Sequence, residues 1–174
     1  RQVRFARPIS REQLRAPLAH VDPLGWLGST IRGWRVLCLG AGGGRQSALY
    51  AAAGAQVTVV DISPEMLRLD RAVAQEYGLS VVTVEASMDD LSALRHDRFD
   101  LCIHPVSTCY VPDIARVFQQ VSQVVVSGGL YVSQHKTPGS LQATSQPRQG
   151  TYQIETAYYS KEALPSVVGA LHRE

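Results

Sequence analysis

A chain of 174 residues, 45% apolar and 18% charged, is long enough for one domain with its own core and too evenly mixed for a disordered protein. Its formal charge of +2 argues against a nucleic-acid surface; the basic bias at Arg1, Arg4, Arg7, Arg11 and Arg15 fits a solvated face or an ordered tail. No apolar run approaches the roughly 20 residues of a bilayer span, the start lacks a signal-peptide layout, and three cysteines without metal or disulfide spacing read as reduced thiols, which together point to the cytoplasm.

In chain order, Ser10 and Gln13 form a capping-box pattern that opens a short helix, and Pro17, Pro23 and several glycines then break the chain. Residues 1–34 are therefore expected to be a helical cover over the carboxyl edge of a sheet. Five short apolar runs predict strands: Arg35–Leu39, Gln56–Val60, Ser80–Val84, Phe99–Ile103 and Gly129–Ser133. Helices are predicted between them at Arg45–Ala53, Pro64–Tyr77 and Asp113–Val121, with Gly54 and Gly78 suited to left-handed C-terminal caps. Ser63, Pro64 and Glu65 supply an N-cap, a proline at the first helical position and an acid at the positive helix end. The link through Leu91–Leu94 has room for a turn or two. Alternating strands and helices over residues 35–134 predict a doubly wound, Rossmann-like and mostly parallel sheet. Residues 135–174 read as an acceptor-side or mobile segment, with a strand at Tyr152–Glu155 and a helix from Lys161.

The first strand runs into Gly40-Ala41-Gly42-Gly43-Gly44-Arg45 and then a helix, an arrangement that brings backbone close to a ligand. A dinucleotide fingerprint G-x-G-x-x-G counted from Gly40 would need glycine at position 45, where Arg45 stands. Gly40, Gly42 and Gly44 instead make G-x-G-x-G, which suits a nucleoside joined to an amino acid better than a pyrophosphate. Asp61 ends the second strand beside that loop, where one carboxylate can accept bonds from both hydroxyls of a ribose. The loop Glu85–Leu91 after the third strand can reach an adenine ring through Ser87 and Met88. After the fourth strand, His104 is a candidate general base or cofactor contact, and Tyr110 a candidate wall of the acceptor pocket. Arg45, Tyr158 and Tyr159 read as surface or cover residues.

The blocks VLCLGAGGG, VTVVDISPEML, VEASMDDLS, FDLCIHPVS and GGLYV, in this order over residues 34–134, resemble the class I S-adenosylmethionine-dependent methyltransferases. The resemblance implies an S-adenosyl-L-methionine cofactor lined by Gly40, Ala41, Gly42 and Gly44. Asp61 would then hold the ribose, with Ile62, Ser87, Met88 and His104 as further contacts. Two positions depart from it: Cys38 stands where the family usually carries an acid, and Ser87 where it commonly carries an aspartate. His104-Pro105-Val106-Ser107 is at most a distant echo of the Asn/Asp-Pro-Pro-aromatic run of amino-group methyltransferases, so that specificity is not carried over. The implied function is methyl transfer to a small-molecule acceptor, without nucleic-acid or membrane partners and without a metal. A non-catalytic binding or scaffold protein on the same fold and an NAD(P)-dependent oxidoreductase are the alternatives. The family's sheet usually has seven strands, so this chain is expected to have incomplete C-terminal strands through truncation or missing stretches.

Overall fold

The computed structural model describes residues 9–137, 139, 142–144 and 148–155. Arg1, Arg4, Arg7, Tyr158, Tyr159 and the helix predicted from Lys161 lie outside them. Two short helices, α1 (Arg11–Arg15) and α2 (Pro17–Val21), precede β1 (Arg35–Leu39), α3 (Arg45–Ala52), β2 (Gln56–Asp61), α4 (Pro64–Glu76), β3 (Val81–Glu85), β4 (Phe99–His104), α5 (Ile114–Val124) and β5 (Val125–Ser133). Single 3-10 turns at Ser92–Leu94 and Thr108–Tyr110 occupy the links on either side of β4. The five strands form one parallel sheet in the order β3-β2-β1-β4-β5. The predicted doubly wound architecture is therefore the observed one. The direction of winding reverses between β1 and β4, which opens the crevice at the carboxyl edge where α/β sheets bind ligands.

Local chemistry explains the boundaries. The Ser63 hydroxyl accepts the Met66 amide at 3.4 Å to start α4, and Gly78, at φ +65°, ends it. There the Gly78 amide donates to the Gln75 carbonyl and Leu79 to Ala74, so two otherwise unpaired helix carbonyls are satisfied. Gly54, at φ +93°, closes α3 in the same way, its amide and that of Ala55 donating to Ala51 and Tyr50. The Ser10 and Gln13 box forms in both directions, at 3.0 and 3.2 Å.

Strand alternation divides the core. Val36, Cys38, Val57, Val59, Leu101 and Ile103 face Leu27, Ile31 and Tyr50 on the α3 side. Leu37, Leu39, Val60 and Cys102 face Val117, Val121 and Val124 of α5. That valine stripe runs one turn beyond the predicted end at Val121, because Val124 is buried and extends the same face. β5 also begins earlier than predicted. Val125 pairs with Phe99, the register then shifts, and regular pairing resumes at Leu130 opposite Leu101. Gly128, at φ +80°, sits in that irregularity, and the glycines that signalled a strand start mark a bulge instead. Tyr152–Glu155 forms no strand. Isolated antiparallel bridges join Ala143 to Ile154 and Arg148 to Thr151, a local turn-back too short to make a ladder.

Candidate cofactor site at the carboxyl edge

The glycine loop crosses from β1 to α3 with α4 pressed against it. A Cβ on Gly42 would lie 2.8 Å from Asp61 Oδ2 and 2.9 Å from Met66 Cβ, so the missing side chain is what lets the β2 carboxylate reach the loop. On Gly44, already at φ +83°, a Cβ would lie 2.7 Å from Val73 Cγ2. The spaces at Gly42 and Gly44 are therefore filled first by the protein's own α4, and the loop is clamped in one shape before any ligand arrives. Over Gly40 lie the Ser107 hydroxyl and the Met88 methyl, 2.7 and 3.2 Å from where a Cβ would be.

Asp61 ends β2 opposite Glu85 of β3 and is half-buried. Its Oδ2 accepts the Gly42 amide at 3.2 Å and its Oδ1 accepts the Ser63 amide at 2.9 Å. Each carboxylate oxygen has a second lone pair, so acceptor capacity remains on the solvent side. Ile62, the next residue, is 71% exposed, an apolar platform beside the carboxylate. Ser87 and Met88 are half-buried on the loop after β3, with the Met88 thioether reaching the first glycine. The structure thus brings Gly40, Gly42, Asp61, Ile62 and Met88 together along the ends of β1, β2 and β3, and Ala41 packs against the core on the α3 side.

His104 is the last residue of β4 rather than part of the following loop, and it is fully buried. Its Nδ1 lies 2.8 Å from the Tyr131 hydroxyl, while Nε2 has no hydrogen-bond partner among the described residues. Burial, with the charge of His135, lowers its pKa from 6.5 to about 4, so the ring is neutral at physiological pH. Of the two roles expected from sequence, hydrogen bonding suits such a ring better than taking up a proton. Tyr131, its partner, is itself held un-ionised by burial, with a pKa of about 12. Tyr110 ends the 108–110 turn and is exposed.

One residue with no place in the sequence reading is central here. Asp70 of α4 is 1% exposed and accepts the Gly44 amide at 3.0 Å, the Gly43 amide at 3.3 Å and the Ser47 hydroxyl. Burial raises its pKa, opposed by those three bonds. A signal for it existed: Leu67, Asp70 and Ala74 are spaced as one buried helix face, so the acid interrupts an apolar stripe.

Beyond the site, toward β5, a cavity of about 180 Å³ opens under the segment after α2, with Leu24, Trp26, Tyr50, Ile103, Val132 and Gln134 in its lining. Most of the lining is apolar; Gln134 and the Tyr50 phenol are polar, and the Asp22 carboxylate, also in the lining, accepts the Trp26 and Leu27 amides. Among the described residues no group of three or more His, Cys, Asp or Glu is placed to hold a metal, and no helix is long and apolar enough to cross a membrane.

Residues 37–133, from β1 through β5, match the family described as a methyltransferase domain. The chain belongs to the class I S-adenosylmethionine-dependent methyltransferases. It is 38% identical over 138 residues to an uncharacterized methyltransferase, YbaJ, of Bacillus subtilis (strain 168), covering 78% of this chain and 54% of that protein. It is 33% identical over 118 residues to a ubiquinone biosynthesis O-methyltransferase of Bordetella pertussis, covering 65% of this chain and 49% of that one. A crystal structure of an S-adenosylmethionine-dependent methyltransferase from Mesorhizobium loti matches with a TM-score of 0.58 and 28% identity, over 76% of this chain and 57% of the other. This methyltransferase chain spans about half the length of the curated relatives it matches. The donor set fits the family's cofactor. A carboxylate with free acceptor capacity, an exposed isoleucine beside it and a thioether over the first glycine present a diol acceptor and two apolar surfaces, as a nucleoside needs.

Proposed function

We propose that this chain is the cofactor-binding core of a methyltransferase that moves a methyl group from S-adenosyl-L-methionine to a small-molecule acceptor, in the reducing environment of the cytoplasm. The observation that carries this reading is Asp61, fixed by the Gly42 and Ser63 amides with its outer lone pairs free, between the exposed Ile62 and the Met88 loop. Asp61 would accept the ribose hydroxyls, Ile62 and Met88 would cover the two faces of the adenine, and Ser87 would bond its edge. Gly40, Ala41, Gly42 and Gly44 would carry the backbone along the amino-acid end. When bound, the cofactor supplies an electrophilic methyl on a positively charged sulfur that is already a good leaving group. What remains for the protein is alignment and the exclusion of water.

His104, with Nδ1 engaged by Tyr131, has Nε2 left to hydrogen-bond cofactor or acceptor as a neutral ring. The cavity under Trp26 lies on the β4–β5 side of the sheet, away from Asp61, and would be the room for the acceptor; its mostly apolar lining supports a compact, largely apolar molecule. Tyr110 would stand at the rim of that side. The three cysteines are all free, two of them buried, which supports a reducing compartment. Titration calorimetry with S-adenosylmethionine, S-adenosylhomocysteine and NAD tests the proposal. Micromolar binding of the first two is expected; their failure to bind, or tighter binding of NAD, overturns it.

A further inference from the structure

We infer that Asp70 is a positioning and specificity-determining residue of the cofactor loop, one that occupies the amides a phosphate would need and so tunes the loop toward a cationic nucleoside. A glycine loop leading into a helix ordinarily offers its unpaired backbone N–H groups to an anion, with the positive end of the helix behind them. In this protein three successive glycine amides of the loop are already taken from within. Gly42 donates to Asp61, and Gly43 and Gly44 both donate to Asp70. Two carboxylates thus lie against one loop, close enough that the charge of Asp61 raises the pKa of Asp70.

No ion pair joins Asp70 to a basic side chain among the described residues; its partners are two amides and the Ser47 hydroxyl. Arg45, the cation nearest in sequence to the loop, is exposed on the first turn of α3. A phosphate approaching this turn finds the Gly42, Gly43 and Gly44 amides satisfied and meets negative charge, whereas a sulfonium or ammonium meets attraction. The inference rests on the cofactor reading above and assigns the loop's selectivity to a residue on α4, distinct from Asp61, which that reading gives the ribose.

The experiment compares wild-type protein with Asp70→Asn by titration calorimetry against S-adenosylmethionine, S-adenosylhomocysteine and ADP, with circular dichroism as a check of folding. Asparagine keeps the shape but turns an N–H₂ group toward one glycine amide, which releases that donor. The expected result is that S-adenosylmethionine affinity falls about tenfold while ADP affinity does not fall, so their ratio drops at least as much. S-adenosylhomocysteine, which lacks the sulfonium charge, should lose less than S-adenosylmethionine. A folded variant whose affinities for all three probes are unchanged, or fall by one common factor, overturns the role of Asp70. Wild-type protein that binds neither adenosyl compound overturns the cofactor reading itself, an outcome visible before any variant is measured. Should Asp70→Asn not fold, Asp70→Ser removes the same charge with a smaller side chain; it should shift the same ratio in the same direction, and an unshifted ratio there also overturns the inference.

Discussion

Replacing Asp61 by alanine separates what the carboxylate does for the fold from what it does for the cofactor. In the fold it accepts two amides, from Gly42 at 3.2 Å and Ser63 at 2.9 Å, at a half-buried position. Each such bond contributes about 1 kcal/mol, and water can partly replace the carboxylate at this exposure, so the stability loss should be about 1–2 kcal/mol. For a chain of this length that lowers Tm by roughly 3–6 °C, measurable by calorimetric scanning. Toward the cofactor, two hydroxyls donating to a charged acceptor contribute about 1.5 kcal/mol each at the low end, because the site opens to water. Their joint loss of about 3 kcal/mol corresponds to a weakening on the order of 100-fold in Kd for S-adenosylhomocysteine. Asp61→Asn keeps one acceptor oxygen and should lose roughly half of that free energy, about tenfold. If Asp61→Ala shows the expected drop in Tm while Kd changes by less than about threefold, the carboxylate serves the loop alone and the ribose assignment is wrong.

Gly44→Ala should destabilise the protein by more than about 1 kcal/mol, since the residue sits at φ +83° and the added carbon would meet Val73; an unchanged urea midpoint would refute the clamped loop. Ser63→Ala removes the cap of α4 and should lower stability by about 1 kcal/mol in the same melt. His104 makes stability depend on pH. Its folded pKa of about 4 lies below the 6.5 of the free ring, so the unfolded chain binds the extra proton first and stability falls as pH drops from about 6.5 toward 4. At pH 5 the loss relative to pH 7 should be about 2 kcal/mol, and His104→Gln should remove that limb. Asp70, with a raised carboxyl pKa, works in the opposite sense at lower pH, and a His104→Gln variant with the wild-type slope between pH 7 and 5 would refute the assignment.

The parallel sheet was legible because its signals are local: short apolar runs rich in β-branched residues, a serine-proline-glutamate helix start, and glycines at left-handed helix ends all depend on near neighbours in sequence. The same locality made the position of Asp61 readable, since an acid at the end of a strand beside a glycine loop needs only the strand order to reach that loop. What depends on distant partners was not readable. The neutrality of His104 comes from burial and the charge of His135, and its Nδ1 partner Tyr131 lies 27 residues on. The bulge that lengthens β5 appears only when Val125 meets Phe99. Asp70 is the mixed case: its spacing with Leu67 and Ala74 signals a buried face, but its partners, the Gly43 and Gly44 amides and the Ser47 hydroxyl, lie more than 20 positions away. Sequence reading assigned the alternating glycines to the ligand. The contacts assign the room at Gly42 and Gly44 first to Asp61, Met66 and Val73 of the protein itself, and that prior occupation fixes the shape of the loop.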